Sequence, residues 1–151
     1  MAFMVKDGFR LYYEDTGGNA PTLLFVHGAG GNHLSWWQQV PVFAEEYRCV
    51  SVDQRGFGQS PDVPGGPGPA ALAADALALL DYLGIRRAAL VSQSMGGWAA
   101  VGAAVRAPER LWARRSVRRS PSARSSMPRS PASTSRGRPT SAKGSAASPR
   151  R

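Results

Sequence analysis

The sequence predicts an α/β fold of about five strands, most of them parallel, flanked by helices and followed by a disordered C-terminal tail. Strand-like and helix-like segments alternate up to about residue 110, which is typical of a layered α/β domain. Three apolar strand-like segments each end in a glycine-containing loop. After Trp112 the composition changes abruptly, since residues 113–151 contain eleven Ser, eleven Arg or Lys and five Pro. We therefore divide the chain of 151 residues into a domain at 1–112 and a tail at 113–151.

The predicted strands differ in how their apolar residues are arranged. In residues 9–15, Leu11 and Tyr13 alternate with polar side chains, which favours a partly exposed antiparallel strand. Residues 22–26, 47–52 and 88–92 are nearly continuous apolar runs, as expected of strands that are covered on both faces.

Three helices are predicted between and after these strands. Residues 34–46 indicate a short helix that Pro41 interrupts. Residues 70–83 carry leucines and alanines at helical spacing and are followed by Gly84, a C-cap residue. Small residues at 96–107 predict a third helix, which stops at Pro108.

Charge and cysteine usage exclude several classes of protein. Residues 1–112 hold eight Lys or Arg and all ten Asp or Glu, so the basic pI near 11.0 belongs to the tail. A single cysteine, Cys49, excludes an internal disulfide framework and a cysteine-rich zinc site, and suggests a reducing compartment. No apolar run approaches the ~18 residues of a membrane span, and the N-terminus lacks a signal-peptide core. We expect a cytoplasmic protein without a membrane partner.

The loops after the first two buried strands favour structural interpretations when each is taken alone. The first contains His27, Gly28 and Gly30, and it either aims backbone N–H groups at an anion or forms a plain tight turn. The second begins with Asp53 and Arg55, whose side chains we expect to pair with each other and to fix the shape of the loop.

The third loop has the pattern of a nucleophile elbow. It reads Ser-Gln-Ser-Met-Gly-Gly over residues 92–97, between a strand and a helix. Small residues are needed two positions before and after Ser94 because the turn is sharp. The turn raises the Ser94 hydroxyl above the sheet and places the Met95 N–H at the helix start, where it stabilises an oxyanion. The alternative is that Ser94 only caps the helix.

With all three loops in this order, residues 3–112 resemble the α/β-hydrolase superfamily, in particular its small esterase, lactonase and haloperoxidase-like members. The resemblance implies that the first two of five strands are antiparallel and the other three parallel, with 22–27 central between 47–52 and 88–92. It further implies a small ester or lactone substrate and neither cofactor nor metal. The site residues that it implies are the nucleophile Ser94, the oxyanion-hole N–H groups of Ala29 and Met95, and the loop-shaping residues His27, Gly28, Gly30, Asp53, Arg55 and Gly96.

The chain departs from the family pattern after the third helix. Both histidines, His27 and His33, precede Ser94, and no Asp or Glu follows Glu109, so the catalytic acid and histidine have no candidates. We expect His27 to act structurally and His33 to be a solvated or capping residue. We also expect a truncated family member that is catalytically incomplete as this chain.

Several alternatives remain open for the function and the tail. A cofactor-free dioxygenase of the same fold has a similar elbow. The tail is either the out-of-frame translation of a GC-rich gene or a basic arm that contacts nucleic-acid phosphates, and its lack of interleaved aromatic residues disfavours nucleic acid as a partner. Without a sixth strand, residues 88–92 become an uncovered sheet edge, which predicts non-specific self-association.

Overall fold

The computed structural model describes residues 2–6 and 8–112, which form one mixed sheet with helices on both faces. The strands are β1 (Ala2–Lys6), β2 (Phe9–Asp15), β3 (Thr22–Val26), β4 (Arg48–Val52) and β5 (Ala88–Ser92). The alternating segment became β2, and the three apolar runs became β3, β4 and β5 within one residue of their predicted bounds. All five residues of β3 are buried, as its continuous apolar pattern predicts.

The strand order places β3 at the centre of the parallel part of the sheet. The order is β1-β2-β4-β3-β5; β1 pairs with β2 and β2 with β4 antiparallel, whereas β3 pairs with β4 and β5 parallel. Val26 is opposite Val52 in β4 and Ser92 in β5. Because these three strands end level with one another, the loops that follow them begin at the same edge of the sheet. The predicted topology is confirmed.

The helices are α1 (Gln39–Phe43), α2 (Leu72–Tyr82) and α3 (Gly96–Arg106), with short 3₁₀ helices at His33–Trp36, Gly68–Ala71 and Pro108–Arg110. The segment predicted as a single helix at 34–46 is therefore a 3₁₀ turn followed by α1. Pro41 is tolerated in the first turn of α1, but it has no N–H to donate to the carbonyl of Trp37, so α1 does not extend back over residues 34–37. Within the described residues, no helix is long and apolar enough to cross a membrane.

A hydrophobic core lies on each face of the sheet, and the two cores differ in size. On one face α2 and α3 pack against the core that includes Leu24, Val26 and Val50. Gly102 of α3 permits this packing, since a Cβ there would lie only 2.6 Å from the Cβ of Ala73 in α2. The core of the opposite face is smaller and centres on Phe25, whose ring contacts Trp36 at a centroid distance of 5.3 Å.

The edge of β5 is covered at one end only. Leu111 forms an isolated parallel bridge with Ala88, and the Trp112 N–H donates to the Ala88 carbonyl at 3.2 Å. The Trp112 indole N–H donates to the Thr22 carbonyl at 3.1 Å, which fixes this segment against the sheet. The expectation of a wholly uncovered edge is thus wrong at the Ala88 end, because Leu111 and Trp112 pair with the backbone there. The interpretations of the tail concern residues 113–151, which lie outside the described residues.

Exposed apolar side chains on α3 form a second surface through which we expect copies of the chain to associate, in addition to the edge of β5. Trp98, Val101 and Val105 are 65%, 65% and 78% exposed and recur at helical spacing along one side of the helix. We expect the purified chain to elute as oligomers in size-exclusion chromatography with light scattering, and V101K/V105E to shift it towards monomer. The control V42E removes an equally exposed valine from α1 and should change nothing. A monodisperse wild-type monomer with a cooperative melt would contradict the prediction.

An ion pair joins the end of β2 to the start of β4. The Asp15 carboxylate accepts hydrogen bonds from Arg48 Nε at 3.0 Å, Arg48 Nη2 at 2.6 Å and the Gly17 N–H at 2.8 Å. Partial burial alone raises the pKa of Asp15, but these donors outweigh it and hold the pKa below its ordinary value of 3.8. The folded state therefore favours the charged carboxylate.

This depressed pKa predicts an acid-dependent loss of stability. The contribution of Asp15 is complete above about pH 5 and is lost as the pH falls through the unfolded and then the folded pKa. We expect D15N to be less stable than wild type at pH 7, and its unfolding free energy to fall less between about pH 5 and pH 3. Urea unfolding across this range tests it, with the exposed Glu45 (E45Q) as the control. Parallel wild-type and D15N curves would contradict it.

Candidate active site

The loops after β3, β4 and β5 meet at the carboxyl edge of the sheet. The Gln93 N–H donates to the Val26 carbonyl at 3.2 Å, which links the third loop to the end of β3. A Cβ built on Gly28 would lie 3.3 Å from the Cβ of Ser94, so the first loop lies directly against the elbow. Ala29 and Ser94 are both exposed. The side chain of Ser94 and the loop next to it are therefore open to a ligand.

Ser94 has the strained backbone that an elbow requires. Its φ is +49°, and it is the only non-glycine residue with positive φ among residues 2–6 and 8–112. Met95 follows as the N-cap of α3, so Ser94 lies one residue before the capping position. A Cβ on Gly96 would overlap the Val26 carbonyl oxygen and lie 2.7 Å from that of His27, which explains why glycine is needed there. The sequence pattern and the backbone geometry agree.

His27 is fully buried, and both of its ring nitrogens are engaged. Nε2 accepts a hydrogen bond from the Gln54 N–H at 3.0 Å, so the ring proton is on Nδ1, which donates to the Gly28 carbonyl at 2.7 Å. The Gly31 N–H donates back to the same Gly28 carbonyl at 3.1 Å. The loop is thus a hydrogen-bonded turn closed around the His27 ring.

The expected pair between Asp53 and Arg55 does not form. The fully buried Asp53 carboxylate accepts hydrogen bonds from the His33 N–H, from His33 Nδ1 at 2.8 Å and from the Gln59 N–H at 2.8 Å. The two side chains leave the end of β4 in different directions, Asp53 towards the 3₁₀ helix at His33–Trp36 and Arg55 towards α2. A Cβ on Gly58 would overlap the Asp53 carboxylate, so glycine is required at that position too.

His33 is neither solvated nor a cap, contrary to the sequence prediction. Asn32 is the N-cap of the 3₁₀ helix, and the His33 side chain is only 10% exposed. Its Nε2 lies 3.7 Å from Glu14 Oε1 on β2, and its ring packs on that of Tyr12 at a centroid distance of 4.7 Å. Burial, followed by the hydrogen bond to Glu14, raises the pKa of Tyr12. Neither nitrogen of His33 is available to Ser94.

Arg55 is buried and bonded to a residue that the sequence pattern did not indicate. Its Nε and Nη2 donate to the two carboxylate oxygens of Asp75 on α2 at 2.8 and 2.7 Å, and Nη1 lies 3.5 Å from Asp62. The guanidinium stacks 3.5 Å from the centre of the Phe9 ring. The hydrogen bonds to Asp75 raise the pKa of Arg55 further above its ordinary value. The loop after β4 is thereby fastened to both α2 and β2.

Among the described residues, the other reactive side chains do not come together as a second site. Burial raises the pKa of the Cys49 thiol, which disfavours the nucleophilic thiolate. In the part of the chain that the structure describes, no three His, Cys, Asp or Glu side chains form a cluster able to hold a metal ion. The chemistry available at the carboxyl edge is therefore that of Ser94 and the backbone N–H groups around it.

A parallel sheet with a strained serine between strand and helix, next to a glycine-rich loop, defines the class of α/β proteins with a nucleophile elbow. The profile of the family described as "alpha/beta hydrolase fold" matches residues 21–113. The chain belongs to the α/β-hydrolase family.

Individual relatives cover a similar part of the chain. A 2-hydroxy-6-oxononadienedioate/2-hydroxy-6-oxononatrienedioate hydrolase of Paraburkholderia phymatum is 40% identical over 107 residues, 68% of this chain and 37% of its own. A dihydrolipoyllysine-residue acetyltransferase component of the acetoin cleaving system, from Cupriavidus necator, is 39% identical over 109 residues, 72% of this chain and 29% of its own. The enol-lactonase from Burkholderia xenovorans LB400 superposes with a TM-score of 0.67 at 33% identity, covering 73% of this chain and 44% of its own.

Several kinds of hydrolase are found among the matches. Esterases, lactonases and epoxide hydrolases are among the proteins that the chain matches. The chain spans less than half the length of these relatives.

Proposed function

We propose that this chain carries the nucleophile and oxyanion hole of a serine hydrolase that acts on a small ester or lactone. The observation that carries the proposal is the positive φ of Ser94, held between β5 and α3 and against Gly28. A strained conformation persists only where the surrounding structure fixes it, and such residues concentrate at functional sites. The lactonase and esterase relatives support the substrate class.

Each proposed residue has a distinct part in the reaction. The Ser94 oxygen attacks the acyl carbon, and the backbone N–H groups of Ala29 and Met95 stabilise the oxyanion that develops. The acyl C–O bond then breaks, and the proton lost by Ser94 passes through solvent to the leaving oxygen; the alcohol departs from an ester and stays attached to the acyl group of a lactone. Water attacks the resulting acyl-enzyme, which releases the acid and restores the Ser94 hydroxyl. His27, Gly28, Gly30, Asp53, Arg55 and Gly96 keep the three loops in place.

In the part of the chain that the structure describes, no histidine is placed to act as the general base of this reaction. The chain's only two histidines are His27 and His33, and the nitrogens of both are bonded to or face groups other than Ser94. We therefore propose that this chain alone is catalytically incomplete, although it carries the proposed nucleophile and oxyanion donors.

Covalent labelling of Ser94 tests the proposal without requiring turnover. A fluorophosphonate probe reacts when the serine oxygen displaces fluoride from phosphorus and the hydroxyl proton passes to solvent. We expect slow labelling that mass spectrometry maps to Ser94 and that is lost in S94A. The matched control S92A, two residues earlier at the end of β5, should label at the wild-type rate. Equal labelling of S94A and wild type would refute the assignment.

A further inference from the structure

We propose that Gln54 is a positioning residue for the oxyanion hole, because it holds one end of the loop that carries Ala29 while its neighbour Asp53 holds the other. Two consecutive residues after β4 would then fix the 27–33 segment at both ends. The inference rests on the proposed function for the use of the loop, and on the hydrogen bonds of the described residues for the clamp itself.

Gln54 holds the near end of the loop by two different groups of one residue. Its main-chain N–H donates to His27 Nε2 at 3.0 Å, and its side-chain amide donates to the His27 carbonyl oxygen. Both the ring and the backbone of His27 are thereby tied to the end of β4. Ala29 follows two residues later, so movement of His27 is transmitted directly to the Ala29 N–H.

The His27 carbonyl is also the point at which the loop meets the elbow. A Cβ on Gly96 would lie 2.7 Å from the same carbonyl oxygen that Gln54 binds. The Gln54 amide and the first turn of α3 therefore both lie against the His27 carbonyl oxygen. Loss of the amide bond changes how the Ala29 loop sits against Met95, the residue that supplies the second proposed donor.

Asp53 holds the far end of the loop. Its carboxylate binds both the N–H and Nδ1 of His33, the first residue of the 3₁₀ helix that follows the loop. The turn between Gly28 and Gly31 closes the segment between these two anchors. These hydrogen bonds restrict the backbone torsions between the two anchors. An oxyanion donor is preorganised only when its backbone is held in this way.

The side chain of Gln54 is not explained by stability. It is 4% exposed, and its Oε1 has no hydrogen-bond partner among the residues that the structure describes. A buried acceptor without a partner costs stability; an apolar side chain of similar length would remove this acceptor but leave the buried His27 carbonyl without its donor, so the two costs roughly cancel. The amide is required only for the bond to the His27 carbonyl, and this bond is what positions the loop.

The variant Q54M tests the inference because it keeps the side-chain length and removes the donor. The first readout is the affinity for phenylboronic acid: the Ser94 oxygen adds to boron, its proton passes to buffer, and a tetrahedral anion forms in the hole. The second readout is amide hydrogen exchange at Gly31, whose N–H donates to the Gly28 carbonyl and closes the turn that contains Ala29. Loss of a whole oxyanion donor costs roughly 10²–10³-fold, so for a displaced donor we expect about 10-fold weaker boronate binding. We also expect faster exchange at Gly31 and a nearly unchanged unfolding midpoint.

Two further variants separate the outcomes. H33A removes a side-chain bond at the far end and should also speed exchange at Gly31, whereas Q38M, at an exposed α1 N-cap without a side-chain bond, should match wild type. Wild-type exchange at Gly31 in both Q54M and H33A would overturn the inference, as would boronate binding to Ser94 that Q54M leaves unchanged. If wild type and S94A both fail to form the adduct while Q54M still speeds exchange, the proposed function fails and the clamp stands.

Discussion

Replacing Asp75 by alanine is expected to lower the unfolding free energy by about 3–5 kcal/mol, because Arg55 would stay buried without its bidentate partner. The guanidinium lies between Phe9 and α2, and its side chain is only 5% exposed. Water cannot replace the lost carboxylate without opening that packing. Asp62, at 3.5 Å from Nη1, offers a single longer contact and cannot restore both hydrogen bonds.

Two controls show whether the buried charge is the cause. D81A removes the partner of Arg110 from a pair whose aspartate is 64% exposed, and it should cost no more than about 1 kcal/mol. The double variant R55M/D75L replaces both charges by apolar side chains and should recover most of the stability lost in D75A. Urea unfolding monitored by tryptophan fluorescence measures all four proteins. A D75A protein as stable as D81A would show that the pair contributes little.

The second large effect concerns turnover. The purified chain of 151 residues is expected to hydrolyse a nitrophenyl ester or a small lactone far more slowly than a working serine hydrolase. A serine hydroxyl is a weak nucleophile until a base removes its proton, and neither histidine of this chain faces Ser94. Oxyanion binding without a complete triad leaves roughly 10³–10⁴-fold acceleration over water, which is the upper limit we expect here.

Added imidazole provides a sharper test than the rate alone. If the missing base limits the reaction, free imidazole should raise the rate of wild type more than that of S94A, which measures direct hydrolysis by imidazole. H33A should respond as wild type does, since His33 is bonded to Asp53. Efficient turnover without imidazole that S94A abolishes would reveal a base that this structure does not indicate.

The fold could be predicted largely from local sequence patterns. β2, β3, β4 and β5 were found because period-two alternation and continuous apolar runs reflect which faces of a strand are buried. Ser94 was found because a sharp elbow demands small residues at fixed positions around it. These signals are local, so no knowledge of the rest of the chain is needed to recognise them.

The partners of charged side chains could not be predicted in the same way. Asp53 and Arg55 are two residues apart, yet each binds a residue 20 positions away, His33 and Asp75 respectively. These pairings depend on how the loop leaves β4 and on where α2 lies, and neither is encoded in the spacing. Gln54 was overlooked for the same reason, since a glutamine in a loop has no pattern until its contacts are known.

The strand order also has a consequence for how the chain is made on the ribosome. β3, whose residues are all buried, has β4 and β5 as its neighbours, and both are synthesised after it. Until β4 is available, β3 cannot pair with β2, because β4 lies between these two strands in the folded sheet. At ~5–20 residues per second, β3 therefore spends a second or more as an unpaired apolar segment before β4 has emerged. During this interval the nascent chain is most exposed to aggregation and most in need of a chaperone.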